Sequence, residues 1–137
     1  MDKAMNYLSL ARKGGMAELG EEPVGAAARA GKAHLILVAG DASDHTWRRA
    51  VSFAAGTDQQ CVRLSVSKDR MGQAVGREEL AIAAITDPSL ALALVKALPE
   101  GEKCGSAPQI LAEKVKKTRQ RRSEAKAHER NKRLGKK

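Results

Sequence analysis

Two short, uninterrupted apolar runs, Leu35–Ala39 and Leu80–Ile85, most constrain the fold of this chain. Apolar runs of this length, bounded by turn residues, are typical of strands that are covered on both faces of a sheet. A helix-start signal follows each run: Ser43 after the first, and Asp87-Pro88 after the second. Because a sheet buried on both faces needs a helical layer on each side, these runs predict a three-layer α/β/α sandwich.

Weaker signals complete the order of elements as α, β, α, β, α, β, α, β, α. Glycines end several of the helices, and serine or proline residues begin them. We predict a small mixed sheet of about four strands, with the two apolar runs near its centre. The other predicted elements are a helix that ends at Gly14-Gly15, a strand at Met16–Leu19, helices over Pro23–Gly31, Ser43–Ala55, Asp69–Val75 and Ser89–Leu98, and a strand at Cys61–Ser65.

The charge of the chain is concentrated at its C-terminal end. Residues 110–137 carry 12 Lys or Arg and 3 Glu, a net charge of 12 − 3 = +9, which equals the formal charge of the whole chain. A run of like charge repels itself and attracts polyanions, and nucleic acid is favoured because each neutralised phosphate releases counterions. We therefore predict one domain over residues 1–98, followed by a linker and basic tail over 99–137. The tail is expected to be disordered or a solvated helix, outside the core.

Catalytic and metal-binding patterns are absent from the sequence. The two cysteines, Cys61 and Cys104, lack a CxxC partner and are interpreted as reduced thiols, and the three histidines are scattered. The turn after the first apolar run places Asp41 where a bound phosphate would lie. We predict no catalytic residue, no metal and no cofactor. No signal peptide or membrane-spanning segment is evident, so we expect a cytoplasmic monomer.

Three stretches of the sequence carry a resemblance to a known family: LSLARKGG, LGEEPVGAAARAGKAHLILVAGDAS and SKDRMGQAVGREELAIAAITD. In order and spacing they resemble the ribosomal L-seven-Ae / L-thirty-e family, whose members include kink-turn RNA-binding proteins. Within that family the likeness is to the small bacterial YlxQ-like RNA-binding proteins. The resemblance implies the same α/β/α sandwich and an RNA partner, either rRNA or another structured RNA.

The resemblance also implies where RNA is contacted, at Gly20–Val24 and Gly76–Leu80. Kink-turn binders carry Gly-x-Asn-Glu and a later lysine at the first loop, where this chain has Glu22, Pro23 and Ala26 after the matching glycine. Since a carboxylate cannot donate to guanine O6, we expect weak selectivity for kink-turns. The predicted RNA-binding residues are Gly20, Glu21, Glu22, Arg77 and Glu78 at the loops, Lys13, Arg29 and Lys32 as phosphate partners, and Lys114, Lys116, Lys117, Arg119, Arg121 and Arg122 in the tail.

Two functional interpretations follow from these features. The first is a non-catalytic RNA-binding protein, ribosome-associated or rRNA-binding, whose tail supplies most of the affinity. The alternative is a protein-interaction module that docks a basic partner on the acidic loop residues and uses its tail for localisation or solubility. The acidic residues in question are Glu21, Glu22, Glu78 and Glu79.

Overall fold

A computed structural model describes residues 1–99 and 110–117 of the chain. Helices and strands alternate along the sequence, and residues 110–117 form a further helix, α6. The linker predicted over 100–108 and the basic residues beyond 117 lie outside the described residues. The other elements are α1 (Asp2–Lys13), β1 (Ala17–Leu19), α2 (Glu21–Arg29), β2 (Leu35–Val38), α3 (Asp44–Ala54), β3 (Gln60–Arg63), α4 (Lys68–Val75), β4 (Ile82–Ile85) and α5 (Pro88–Ala97).

The four strands form one mixed sheet in the order β1-β4-β2-β3. Strand β4 is antiparallel to both of its neighbours, whereas β2 and β3 are parallel. Residue Ile85 at the end of β4 is paired with Ala17 of β1 on one side and with Leu35 of β2 on the other. The starts of β1 and β2 therefore lie at the same end of the sheet, about 10 Å apart at a spacing of about 4.8 Å per strand.

Helices cover both faces of this sheet, which confirms the predicted three-layer α/β/α architecture. Helix α1 packs against α4 and α5, and α2 packs against α3. Every residue of the two central strands, β2 and β4, is buried. The core is built from aliphatic side chains, among which Leu8, Ile36 and Leu94 are fully buried. Small residues such as Ala83 and Ala84 let the helices pack close to the sheet.

The starts of α3, α4 and α5 agree with the prediction because local side-chain caps determine them, whereas α2 begins at Glu21, before the predicted Pro23, without a side-chain cap. Ser43 Oγ accepts a hydrogen bond from the Thr46 amide at 3.2 Å, which caps α3. Ser67 caps α4 and Asp87 caps α5 in the same way. These bonds satisfy amide groups that have no partner within the helix.

In the part of the chain that the structure describes, no helix is long and apolar enough to cross a membrane.

Helix α6 corrects one prediction, that residues from Ile110 onward stay outside the core. Leu111 is fully buried within the hydrophobic core, and Val115 is 6% exposed. These two residues are four apart and so share one face of the helix. Val115 lies beside Leu92 and Lys96 of α5. Two buried apolar side chains at helical spacing therefore pack this short helix against the body, although half of its residues are charged.

A polar contact fixes the same helix at the end of the sheet where β2 begins. Lys114 Nζ lies 3.2 Å from His34 Nδ1 and 3.3 Å from Asp58 Oδ1. Burial lowers the pKa of His34 below 6.5, and the nearby Lys114 ammonium lowers it further. A neutral His34 can accept a hydrogen bond from Lys114 through Nδ1. The ammonium is thereby held by two acceptors, with only 12% of its side chain exposed.

Candidate functional site

The two predicted RNA loops, Gly20–Val24 and Gly76–Leu80, meet at one end of the sheet. Strand β1 ends where β4 begins, and the Gly20 amide donates to Ile82 O at 3.0 Å. The loops therefore lie side by side. Their role in contacting RNA stays a prediction.

The turns after β2 and β3 reach the same end of the sheet. The Ala39 amide donates to Ala81 O at 2.9 Å, and the Gly40 amide donates to Val66 O at 2.8 Å. We call this surface the loop edge, and define it as residues 20–24, 39–43, 65–68 and 76–81. Helices α2, α3 and α4 all begin at the loop edge.

Helix α2 begins with two glutamates at the loop edge. Gly20 precedes it with φ 97° and ψ 161°, a conformation that strongly favours glycine. Glu21 Oε1 accepts a hydrogen bond from Arg49 Nε at 2.7 Å and lies 3.8 Å from His45 Nε2. The next residue, Glu22, is exposed to solvent. The positive end of the α2 dipole is therefore already met by the chain's own carboxylates.

The other two helix starts at the loop edge are similarly occupied. Asp44 lies in the first turn of α3. Asp41 Oδ1 accepts a hydrogen bond from the Lys68 amide, the first residue of α4, at 2.8 Å. Helix starts are otherwise good sites for phosphate, since their amides and dipole attract anions. Here a carboxylate of the chain itself lies at each of these helix starts, which disfavours the binding of a phosphate at the same place.

The loop that follows α4 returns along that helix and is tightly packed. Gly76 ends α4 in the left-handed conformation. A Cβ at Gly72 would lie 2.7 Å from Glu79 Cα, so only glycine allows the loop to approach the helix this closely. Lys68 Nζ lies 3.7 Å from Glu79 Oε2. Arg77 is exposed and has no ion pair within the described residues, so it is the cation of this loop that is available to an anion.

The predicted phosphate partners do not all lie near these loops. Lys13 ends α1 shortly before β1 begins, and Lys32 precedes β2, so both lie at the opposite end of the sheet. Arg29 lies in a groove between α2 and α3, where a Cβ at Gly25 would be 3.4 Å from its Nη1. The expectation that one RNA segment touches the two loops together with Lys13 and Lys32 is not supported by these positions. Their binding of phosphate stays a prediction.

The predicted tail residues are described only in part. Lys114 is held by Asp58 and His34, whereas Lys116 and Lys117 are exposed. The predicted contacts Arg119, Arg121 and Arg122 lie outside the described residues. Of the six tail cations, two are therefore exposed in the described structure and one is engaged with the body.

Sequence reasoning missed two arginine–aromatic pairs, Arg49 with Phe53 within α3 and Arg63 of β3 with Trp47 of α3. The Arg49 guanidinium carbon lies 5.1 Å from the centre of the Phe53 ring, and that of Arg63 lies 5.8 Å from the Trp47 ring. Arg49 and Phe53 also line the groove that holds Arg29. The spacing of four residues between Arg49 and Phe53 on a predicted helix could have indicated this contact, since such residues share a face of the helix. Guanidinium groups and ring faces are surfaces on which nucleobases can stack.

The described histidines contact charged side chains. His34 lies against Lys114, and His45 Nε2 lies 3.8 Å from Oε1 of the half-buried Glu21. Among residues 1–99 and 110–117, no group of three His, Cys, Asp or Glu side chains could hold a metal ion.

Restoring the kink-turn reading residues should reveal whether the loop edge can bind such RNA. Glu22, Pro23 and Ala26 are all exposed, so the triple change Glu22→Asn, Pro23→Glu and Ala26→Lys leaves the core intact. We expect more than about a tenfold gain in affinity for a kink-turn over a plain duplex, since each good polar contact contributes about 1–3 kcal/mol of discrimination. Fluorescence anisotropy with the two labelled RNAs measures the ratio.

The control for this experiment is Ala30→Lys, which adds the same net charge at the far end of α2. It should raise affinity for both RNAs equally, because charge alone does not distinguish them. A triple variant that stays folded and shows no preference for the kink-turn contradicts the prediction.

Comparison with known proteins identifies the fold. No family model and no curated protein matches the sequence. A protein of unknown function from Bacillus halodurans C has a TM-score of 0.65, with 22% identity over 69% of this chain and 94% of its own. The Giardia lamblia 15.5kD RNA binding protein has a TM-score of 0.60, with 18% identity over 69% of this chain and 80% of its own. At these identities the chain is similar to both proteins in fold.

Proposed function

We propose that this chain is a non-catalytic RNA-binding protein of the L-seven-Ae / L-thirty-e type. The observation that carries the proposal is a fold shared with an RNA-binding protein in a chain whose net charge of +9 is concentrated in its last 28 residues. The proposal includes the YlxQ-like branch, association with rRNA or the ribosome, and action as a cytoplasmic monomer without a cofactor. The fold supports the first part, and the charge supports a polyanionic partner.

The basic C-terminal segment should supply most of the affinity. Residues 114–122 contain six Lys or Arg, of which Lys114 is already paired with Asp58. The other five are Lys116, Lys117, Arg119, Arg121 and Arg122. If each neutralises one phosphate of single-stranded RNA, log K should fall with log[salt] at a slope of about −3.5. Lys114 would have raised the slope to about −4 if it too were available.

Filter binding of total RNA across a salt titration tests this proposal. The full chain should lose roughly 100-fold in affinity between about 50 and 200 mM salt, because counterion release weakens steeply with salt. The full-length triple variant Arg119→Gln, Arg121→Gln and Arg122→Gln should have a slope that is smaller by about 2. A slope near zero for the unmodified chain contradicts electrostatic RNA binding.

The matched control neutralises three exposed cations elsewhere on the body, at Lys3, Arg48 and Lys96. Its net charge equals that of the C-terminal triple variant. Because these residues are spread over three helices and are not clustered along the chain like the C-terminal cations, their loss should change the slope by less than about 1. Equal effects from the two variants would mean that only the net charge matters.

A protein-interaction module is the second candidate function, and the acidic loop edge favours it. Glu22 and Glu78 are exposed and have no ion pair within the described residues. Glu21 and Glu79, in contrast, are paired with Arg49 and Lys68. Only two of the four glutamates are therefore available to a basic partner. This function predicts that total RNA binds weakly and that a basic protein from the same cells binds in its place.

A further inference from the structure

We propose that the folded body of this chain contacts RNA phosphates at the end of the sheet opposite the loop edge. This surface, the basic end, is defined by Arg12, Lys13 and Lys32 together with Lys116 and Lys117 of α6. The inference rests on the proposed RNA binding and concerns where on the body it occurs. It differs from the loop contact that the family resemblance implies.

The sheet register brings the first of these cations together. Ala17 and Leu35 are both paired with Ile85, so the segments that lead into β1 and β2 enter the sheet on either side of one residue. Lys13 and Lys32 lie in those two segments, each a few residues before its strand. Both side chains are exposed, and neither has an ion pair within the described residues. They are therefore two available cations in segments that lead into strand starts about 10 Å apart, a separation that one RNA segment can span.

Helix α6 brings further cations to the same end. Lys114 contacts His34, which lies just before β2, and Asp58, which lies just before β3. Lys117 is one helical turn beyond Lys114, and it is exposed, as is Lys116. The buried side chain of Leu111 seats the helix on the body. These contacts hold the exposed lysines of α6 near the first residues of β2 and β3.

Two carboxylates at the basic end are engaged within the fold, and two others there are exposed. Asp58 is paired with Lys114, and Asp87 caps α5 by accepting from the Leu90 amide at 2.9 Å. Glu18 lines the same cleft as Lys32, and Glu113 lies exposed on α6. The loop edge differs, because a carboxylate lies at each of its three helix starts and Glu22 and Glu78 are exposed there. Electrostatic attraction of phosphate therefore favours the basic end.

The amino-acid sequence adds to this asymmetry. Residues 118–137, which follow Lys117 directly, contain nine Lys or Arg and two Glu. An RNA that neutralises this run comes near Lys117, which belongs to the basic end. The body and the C-terminal segment can thus bind adjacent phosphates of one RNA, which increases the number of counterions released.

Charge reversal in the full-length chain tests the location. The variant Lys13→Glu with Lys32→Glu alters the basic end. The matched variant, called the loop-edge variant, is Arg48→Glu with Arg77→Glu; it makes the same change of charge at Arg77 of the loop edge and at Arg48 in the N-terminal half of α3, which begins there. All four residues are exposed. The probe is a fluorescein-labelled RNA hairpin of about 20 base pairs, measured by anisotropy at about 50 mM salt. We expect the basic-end variant to lose about tenfold or more in affinity and the loop-edge variant to lose less than about threefold.

The outcomes distinguish the location of RNA binding from RNA binding itself. Equal losses from the two variants, or a larger loss from the loop-edge variant, overturn the inference and leave RNA binding intact. An unmodified chain that binds no RNA at low salt overturns the proposed function itself. Displacement of the hairpin by polyglutamate as readily as by unlabelled RNA overturns the assignment of this surface to RNA.

A thermal melt of each variant checks that the fold is retained. If Lys13→Glu with Lys32→Glu lowers the melting temperature, the milder change Lys13→Gln with Lys32→Gln takes its place, with Arg48→Gln and Arg77→Gln as its match. The direction of the expected difference is the same, and its size is smaller because no negative charge is introduced.

Discussion

Replacing Val38 with aspartate should unfold this protein. Val38 ends the central strand β2 and is fully buried, between Ile82 of β4 and Arg63 of β3 in the register of the sheet. The neighbouring cation, Arg63, already donates to Ala42 O at 2.9 Å and lies over the Trp47 ring, so it would have to leave these partners to pair with a carboxylate at this site. Burial of an unpaired charged or polar group costs several kcal/mol, against a total stability of about 5–15 kcal/mol for a domain of this size.

Urea denaturation followed by circular dichroism measures the effect. Val51→Asp is the matched control. Val51 lies on α3 with 45% of its surface exposed, so the same substitution there places the carboxylate in solvent. The control should stay within about 0.5 kcal/mol of the unmodified chain. A Val38→Asp variant that folds with the original stability would mean that β2 is not a central, covered strand.

Replacing Leu111 with alanine should destabilise the protein by about 2–5 kcal/mol, the usual cost of truncating a buried leucine. Leu111 is fully buried although it belongs to a helix that follows the first 99 residues. The loss should appear as a lower urea midpoint if α6 unfolds together with the body. If α6 detaches first, the loss should appear as faster hydrogen exchange of its amides before the main transition.

The control for this substitution is Lys116→Ala on the same helix, where the side chain is exposed and truncation should change stability by less than about 0.5 kcal/mol. Equal stability of the Leu111→Ala variant and this control, together with unchanged hydrogen exchange in α6, would contradict the packing of α6 against the core.

Local signals account for most of the fold that could be predicted. The apolar runs that became β2 and β4 are continuous because both faces of these strands are covered. The helix starts at Ser43, Ser67 and Asp87 were predictable because each cap depends on residues within one turn. Such interactions need no knowledge of the rest of the molecule.

The features that sequence reasoning missed depend on contacts between distant residues. The alternation of elements does not specify that β4 is antiparallel to β1 and β2, and this pairing decides which loops share an end of the sheet. Lys13 and Lys32 were therefore grouped with Gly20, although the register separates them. The contact of Lys114 with His34 spans 80 residues and leaves no local pattern in the sequence.

The position of α6 has a consequence for the order in which the chain can fold. Lys114 contacts both His34 and Asp58, and Val115 lies beside α5, so α6 can dock only where these residues have already come together. These partners come together only after β2 and β3 have paired and the last helix of the sandwich has packed, since contacts across long sequence separations form late. On a growing chain, synthesised from its N-terminus, every residue that supplies the described core has been made before residues 118–137. The most highly charged segment is thus synthesised after the residues of the core on which α6 packs.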